Sequence, residues 1–326
     1  MLDKEILFCG DTYFKNKVTL PNYDSNLILN LEAPITNSNK PVKNKVNLKF
    51  SYQSFIDTFL KQRIHAVNLS NNHIFDFGID GFNDTIKVLN ELNIKYFGVT
   101  KTKNNIPLII EKNIAVLSYC CKSTHPTFNL GEYFIHDINL TNIKTDIAKY
   151  KNKYKYLILQ FHWGDEEIFF PKPDDVKIAR KCVEFGADLI IGHHAHVIQS
   201  CETYRNKKIF YGIGNFVFSN LNEPSYFDGN NYKSKYIKKQ FSSNKKSMCI
   251  RLKQDLRVEV NHFNFNSKLN EVKKVKYRIN FTNFVTINNF YYNFLKILSL
   301  RVKMIKIFCS SPKIISFKKI KIFLGF

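Results

Sequence analysis

The sequence predicts a layered α/β domain, and three observations lead there. Short apolar runs of strand length alternate with segments of helical period through the first two thirds of the chain. Candidate metal-ligating residues stand just beyond the ends of those runs, where open α/β sheets gather their ligands. The composition, 44% hydrophobic and 23% charged over 326 residues, is that of a globular chain able to bury a sizeable core.

Ile6-Leu7-Phe8-Cys9 is a buried strand stopped by Gly10-Asp11. Residues 27–31 form a second, ending at Glu32 and Pro34. Residues 54–63 have helical spacing, and 66–70 are a third strand. Ile79, Phe82, Ile86 and Leu89 share one face of a helix over 79–92. Strands follow at 95–99, 108–111 and 114–119. Residues 141–150 are helical, 156–161 a strand, 174–185 a helix, 189–191 a strand and 208–213 another. Asp174 and Asp175 suit the positive N-terminus of their helix, and Gly186 suits its C-terminal cap. Residues 220–246 are polar and basic without apolar period, which reads as a long loop. Residues 248–252 and 257–263 pair as a closing hairpin, and 267–326 are basic and aromatic with no chemistry-bearing motif.

Charge is unevenly placed. The formal net charge is +22, and residues 231–326 alone hold 22 Lys/Arg against 3 Asp/Glu. An acidic partner for the C-terminal part would explain this; so would a coding bias toward Lys, Asn, Ile and Phe without selection for binding. Seven cysteines show no CxxC pair or regular spacing, which points to reduced, mostly buried thiols. Residues 1–20 place Asp3-Lys4-Glu5 ahead of a short apolar run with no small-residue cleavage site. No secretory signal is expected, and the catalytic part is read as cytoplasmic. The best window for a spanning helix, 281–300, contains Asn283, Asn288, Asn289, Asn293 and Lys296, so none is expected.

Asp11, Glu32, Asn72-His73, His162 and His194/His196 each follow an apolar run. Singly, each has a bland explanation: an Asp after a strand is usually a turn residue, and a lone His is more often structural. His65, His125, His136 and His262 read that way. Jointly, five strand ends can pool their side chains in one cleft. His194-Ala195-His196 is the sharpest element. In an extended segment, residues two apart point the same way, so both imidazoles would face one centre and His193 would turn away to bond backbone. His162 adds a third imidazole, and Asp11 and Glu32 add hard anionic oxygens, with Glu32 able to bridge two cations. Mixed N/O ligation without thiolate suits Mn²⁺, Fe²⁺ or Zn²⁺, and two such ions would clamp a phosphoryl group for in-line attack. His73 could serve as general acid, oriented by Asp76 one helical turn on. Asp76 could equally cap a helix beginning near Gly78.

Several segments carry a family resemblance: Cys9-Gly10-Asp11, Asn30-Leu31-Glu32, 71–78, 162–166, 186–197 and Gly214-Asn215-Phe216-Val217-Phe218. In this order they resemble the CapA family of bacterial capsule and poly-γ-glutamate synthesis proteins, within the calcineurin-like metallophosphoesterase superfamily. The resemblance implies a four-layer α/β/β/α sandwich over 3–266 with a two-metal site; by composition, 267–326 is a basic, aromatic-rich extension. By the superfamily pattern Asp11 and His196 serve one metal, Asn72, His162 and His194 the other, and Glu32 bridges them. Wider calcineurin-like enzymes carry His where Tyr13 stands, which implies fewer protein ligands for the first metal.

Three functions follow as expectations. The first is a metal-dependent hydrolase of phosphoester or related bonds in capsule or other surface-polymer synthesis, acting on an anionic or phosphorylated polymer or its precursor. The second is a non-catalytic assembly or export factor at the inner face of the cytoplasmic membrane. The interleaved Lys303–Phe308 and Lys318–Leu324 segments suit a helix lying on anionic lipid, or equally a packing element with a solvated basic face. The third is a nucleic-acid phosphoesterase, ranked last because no nucleic-acid-binding motif is present. Specificity would lie in loops at 36–47, 123–131 and 220–246.

Overall fold

Strands that are apolar on both faces need a covering layer on each side, and the chain supplies two. The computed structural model describes residues 2–122, 129–276 and 288–310. His125, most of loop 123–131, part of window 281–300 and the Lys318–Leu324 segment lie outside the described residues. The chain runs through β1 (Ile6–Tyr13), β2 (Asn26–Leu31), α1 (Tyr52–Phe59), β3 (Ile64–Asn68), α2 (Gly78–Glu91), β4 (Lys95–Phe97), β5 (Val99–Thr100), β6 (Leu108–Ile110) and β7 (Ile114–Cys120). Next come β8 (Asn129–Leu130), β9 (Tyr133–Ile135), α3 (Leu140–Lys151), β10 (Tyr156–His162), α4 (Pro173–Phe185), β11 (Leu189–His193), β12 (Cys201–Tyr204) and β13 (Lys207–Phe210). It continues with β14 (Asn215–Phe218), β15 (Leu221–Phe227), β16 (Tyr232–Lys238), β17 (Lys246–Leu252), β18 (Val258–Asn266), β19 (Glu271–Val275) and α5 (Asn289–Ser310).

One sheet has the order β19-β18-β17-β1-β2-β3-β4, with β14 also paired to β1; the other runs β12-β13-β11-β10-β7-β6. Period-two alternation sorts their side chains. Ile6 and Phe8 of β1, Ile114 and Val116 of β7, Ile158 of β10, and Leu189 and Ile191 of β11 meet in one apolar cluster between the sheets. Their neighbours Leu7 and Cys9 face a cluster containing Phe55 and Phe59 of α1 and Phe82 and Leu89 of α2. Leu157, Leu159 and Ile190 face a third cluster with Ile143 and Ile147 of α3 and Ala179 and Val183 of α4. The architecture is therefore the four-layer α/β/β/α sandwich. α1 begins on Ser51, whose hydroxyl accepts from Ser54 N, and α3 on Asn139, whose side chain accepts from Thr141 and Asn142 N.

Two expectations change. Residues 220–246 are not a loop: β15 and β16 form an antiparallel hairpin. Its turn is held by Asp228 Oδ1, which accepts from Asn230 and Asn231 N, around Gly229 at φ 119°. Most of its side chains are exposed or half-buried, so no apolar period marks it. The strand expected at 208–213 stops at Phe210. The six cysteines whose side chains are described, all but Cys309, are free. No helix among the described residues is long and apolar enough to cross a membrane.

Candidate metal centre

The strands β1, β2, β3, β10 and β11 end on the same side, and the residues at or just beyond those ends converge. The first sheet bends to allow it. β1 shifts register against β2 between Cys9 and Asp11. Gly10 sits so close to Gly214 that a Cβ there would lie 1.9 Å from the Gly214 carbonyl oxygen. β14 runs parallel to β1 with Asn215 opposite Asp11. The buried Asp11 carboxylate accepts from Asn30 Nδ2 at 2.7 Å and from His194 N at 3.0 Å.

Around it stand the other expected residues. Glu32 is fully buried, and its Oε1 lies 3.5 Å from His196 Nε2 and 3.8 Å from His162 Nε2. His162 Nε2 is 2.9 Å from Asn72 Oδ1 and 3.1 Å from His194 Nδ1. Three sets of ligand atoms each lie within 4.8 Å of one another: Asp11, Glu32 and His196; Glu32, His162 and His194; and Glu166, His194 and His196. The first two share Glu32.

The backbone reaches this arrangement differently from the expectation. Residues 194–196 are not extended: His194 has φ 82° and His196 φ 56°, both left-handed. Such residues cost of order 1 kcal/mol or more each and persist only where surroundings hold them. Here Asp11 takes the His194 amide, Glu167 N donates to Ala195 O at 2.7 Å, and Asn244 Nδ2 donates to His196 O at 3.2 Å. His193 does not bond backbone; its Nδ1 lies 3.3 Å from Asp11 Oδ1. Tyr13 packs its ring on Phe50 and Phe218 and brings no imidazole.

Asn215, which follows Gly214 in a family-like segment, sets the His196 tautomer. Its Nδ2 donates to Asn244 O, so its Oδ1 faces His196 Nδ1 at 2.8 Å and requires a proton there. That leaves the Nε2 lone pair toward Glu32. Glu166 and Lys238 were missed as site residues. Lys238 is buried and donates to Glu166 Oε2 at 2.6 Å, with Glu167 Oε1 at 3.4 Å. Glu166 stands in the family-like segment 162–166; Lys238 stands in the segment expected to be a loop, where the sequence carries no signal for it. His73 Nδ1 is 2.7 Å from Asp76 Oδ2. Asp76 is buried, pairs with Lys45 and accepts from Leu48 N at 2.7 Å. It does not cap α2, whose N-cap is Phe77 with no side-chain bond. A cavity of about 300 Å³ opens over these groups, lined by Asn72, His73, Glu166 and His196 below and by Tyr236 and Lys238 of the hairpin.

The electrostatics suit cations. Burial, helped by the Asp11 charge, pushes the Glu32 carboxyl well above its usual range. Burial would raise Asp11 too, but the His193 and His196 imidazoles hold it well below. Burial and the neighbouring His194 press His162 well down, and burial takes His194 to about 4, so both rings are neutral near pH 7 and free to ligate. Neither Glu32 oxygen has a hydrogen-bond partner among the described residues. Two imidazole nitrogens 3.1 Å apart beside an orphaned buried carboxylate form a donor set that fits a divalent ion.

A model for the family described as "Bacterial capsule synthesis protein PGA_cap" matches residues 6–220. That stretch holds all eight expected site residues; Lys238 and α5 lie beyond it. The capsule biosynthesis protein CapA of Bacillus anthracis is 32% identical over 163 residues, 47% of this chain and 40% of that one. The PGA biosynthesis protein CapA of Bacillus subtilis (strain 168) is 27% identical over 205 residues, 58% and 52% of the two. The chain spans about half the length of these curated relatives. A putative 5'-nucleotidase from Staphylococcus aureus aligns with 91% of this chain and 58% of its own at 13% identity and TM-score 0.45.

Proposed function

The chain belongs to the bacterial capsule synthesis protein PGA_cap family, and from that premise we propose that it serves synthesis of an anionic surface polymer as a metal-dependent hydrolase of phosphoester or related bonds. Glu32 carries the proposal: a fully buried carboxylate with both oxygens unbonded among the described residues, placed between His162 and His196. Asp11 and His196 would hold one ion, Asn72, His162 and His194 a second, and Glu32 both. Mn²⁺, Fe²⁺ or Zn²⁺ suits these nitrogens and oxygens. When bound, such ions supply Lewis-acid polarisation of a phosphoryl oxygen.

The chain's own groups do the rest. Asn215 and Asn30 fix the orientations of His196 and Asp11. Lys45 and Lys238 place positive charge at the cavity, where an anionic polymer or its phosphorylated precursor would enter. Asp76 holds the His73 ring through Nδ1, so His73 can deliver a proton to a leaving group.

The test is metal analysis of the purified chain beside hydrolysis of bis-p-nitrophenyl phosphate. Wild type should contain one of these metals and turn over the ester. His194→Ala with Asp11→Ala should lose both. Turnover unchanged by this pair of substitutions refutes the assignment. One observation favours a second reading, a non-catalytic assembly factor: Lys238 already neutralises Glu166 beside His194 and His196. A chain that binds metal tightly yet hydrolyses neither phosphodiester nor phosphomonoester would support that reading.

A further inference from the structure

α5 is amphipathic the wrong way round. At 100° per residue, Tyr292, Lys296, Ser299 and Lys303 fall on one side of the helix. This polar side faces the protein. Tyr292 donates its hydroxyl to Asp165 Oδ2 at 2.8 Å, Lys296 Nζ lies 2.7 Å from the same carboxylate, and Lys303 Nζ lies 2.5 Å from Glu167 Oε2. The Tyr292 ring is buried against Ile168, with Leu295 and Phe170 beside it. Asn288 starts the helix by accepting from Tyr291 N. The acidic loop after β10 therefore fixes which way the helix faces.

The opposite side carries the apolar residues. Phe290 is 83% exposed, and Phe294, Ile297, Leu298, Val302 and Ile305 are each more than two-fifths exposed. Scattered exposed apolar residues are ordinary, but six on one helix face form a contiguous patch of the kind that marks an interaction surface. Charge narrows the occupant. No acidic residue follows Glu271, while eight Lys/Arg lie in residues 288–326. On the wheel Arg301 falls opposite Tyr292, between Phe290 and Phe294. A second copy would set Arg301 against its own positive charge. An anionic bilayer surface offers acyl chains to the apolar side chains and headgroups to the cations. The helix spans about 33 Å over its 22 residues, yet it is not apolar enough to cross. It would lie flat.

We infer that α5 is a membrane-surface helix for anionic lipid, gripped through its polar side by Asp165 and Glu167 and inserting Phe290, Phe294, Ile297, Leu298, Val302 and Ile305. This rests on α5 and its seat alone and stands whether or not the metal centre turns over.

The experiment is co-sedimentation of the full chain with phosphatidylcholine vesicles, with and without about a third phosphatidylglycerol. Wild type should bind the anionic vesicles, and salt should weaken binding. Phe294→Asp with Leu298→Asp, both at exposed positions, should weaken it roughly tenfold or more. Phe294→Trp should shift its emission to the blue on adding anionic vesicles and not neutral ones. Equal pelleting of wild type and the double variant overturns the inference, as does equal binding to neutral vesicles. A wild-type dimer that the double variant breaks, with no vesicle binding by either, assigns the face to a second copy and overturns it too.

Discussion

Replacing Glu32 by Gln separates a metal ligand from a structural carboxyl. The substitution keeps the shape and removes the charge. In the metal-free chain Glu32 contributes no hydrogen bond and lies near Asp11, whose charge disfavours its ionised form. A buried polar group left unbonded costs about 1–3 kcal/mol. An amide can donate to His162 or His196, as can the protonated carboxyl that burial and Asp11 favour. Metal-free Glu32→Gln should therefore be about as stable as wild type. With metal the order reverses. An ion at a hundredfold excess over its dissociation constant stabilises the folded state by about 2.7 kcal/mol, roughly 5 °C in Tm for a chain of this size. Wild type should gain that shift on adding Mn²⁺ or Zn²⁺, and Glu32→Gln should lose most of it. The assay is thermal unfolding in chelator and in each metal, with metal content measured in parallel. A variant that melts well below wild type in chelator, yet keeps the full metal-induced shift, refutes the role given to Glu32.

Three further outcomes can be checked. Gly10→Ala puts a methyl 1.9 Å from the Gly214 carbonyl oxygen, a clash that backbone must absorb at about 3 kcal/mol or more; an unchanged Tm would contradict the tight β1–β14 approach. Lys238→Met should leave metal content intact while weakening inhibition by inorganic phosphate about tenfold, since one charged contact is worth on the order of 1.4 kcal/mol there; unchanged inhibition removes Lys238 from anion binding. Asp175 is buried in the first turn of α4, and burial pushes its carboxyl up to about 7 from an ordinary 3.8. A folded value raised this way means stability is full at low pH and is lost as pH rises from about 4 through about 7. At pH 8 the loss is bounded at about 4 kcal/mol, so Asp175→Asn should raise Tm at pH 8 and change it little at pH 4. Parallel melting curves for the two proteins at both pH values would show that Asp175 does not titrate in this window.

The sandwich was legible because its strands are doubly covered. Leu7 against Phe8, or Ile190 against Ile191, must each find an apolar layer, and that need writes continuous apolar runs into the sequence. The β15–β16 hairpin leaves no such trace. Its strands are half polar on both faces, and its one local mark was the Asp228-Gly229-Asn230 turn. With the hairpin went Leu221, Tyr226, Tyr236 and Lys238, a third of the cavity's lining. β14 falls in a family-like segment, yet its parallel pairing with β1 across some two hundred residues has no local signature.

The histidine pair shows why the site was readable even where the local geometry was not. An extended His194-Ala195-His196 would aim two rings one way by backbone period alone. The real segment bends through two left-handed residues, and the rings converge because Asp11, Glu167, Asn215 and Asn244 each hold one part of the turn. All four come from other segments of the chain. Residue type and strand-end position could point to the cluster, since both are properties of single segments. The bend could not be read, since it is imposed from outside. α5 obeys the same logic in reverse. Its Lys and Phe pattern reads from sequence equally as a helix on anionic lipid or as a packing element with its apolar side in and its basic side out. The acidic loop at Asp165 and Glu167 inverts it by drawing Lys296 and Lys303 inward. The loop that turns this helix over also carries Glu166 to within ligand distance of His194 and His196, so the seat of the outward apolar face and one wall of the metal centre are built on three consecutive residues.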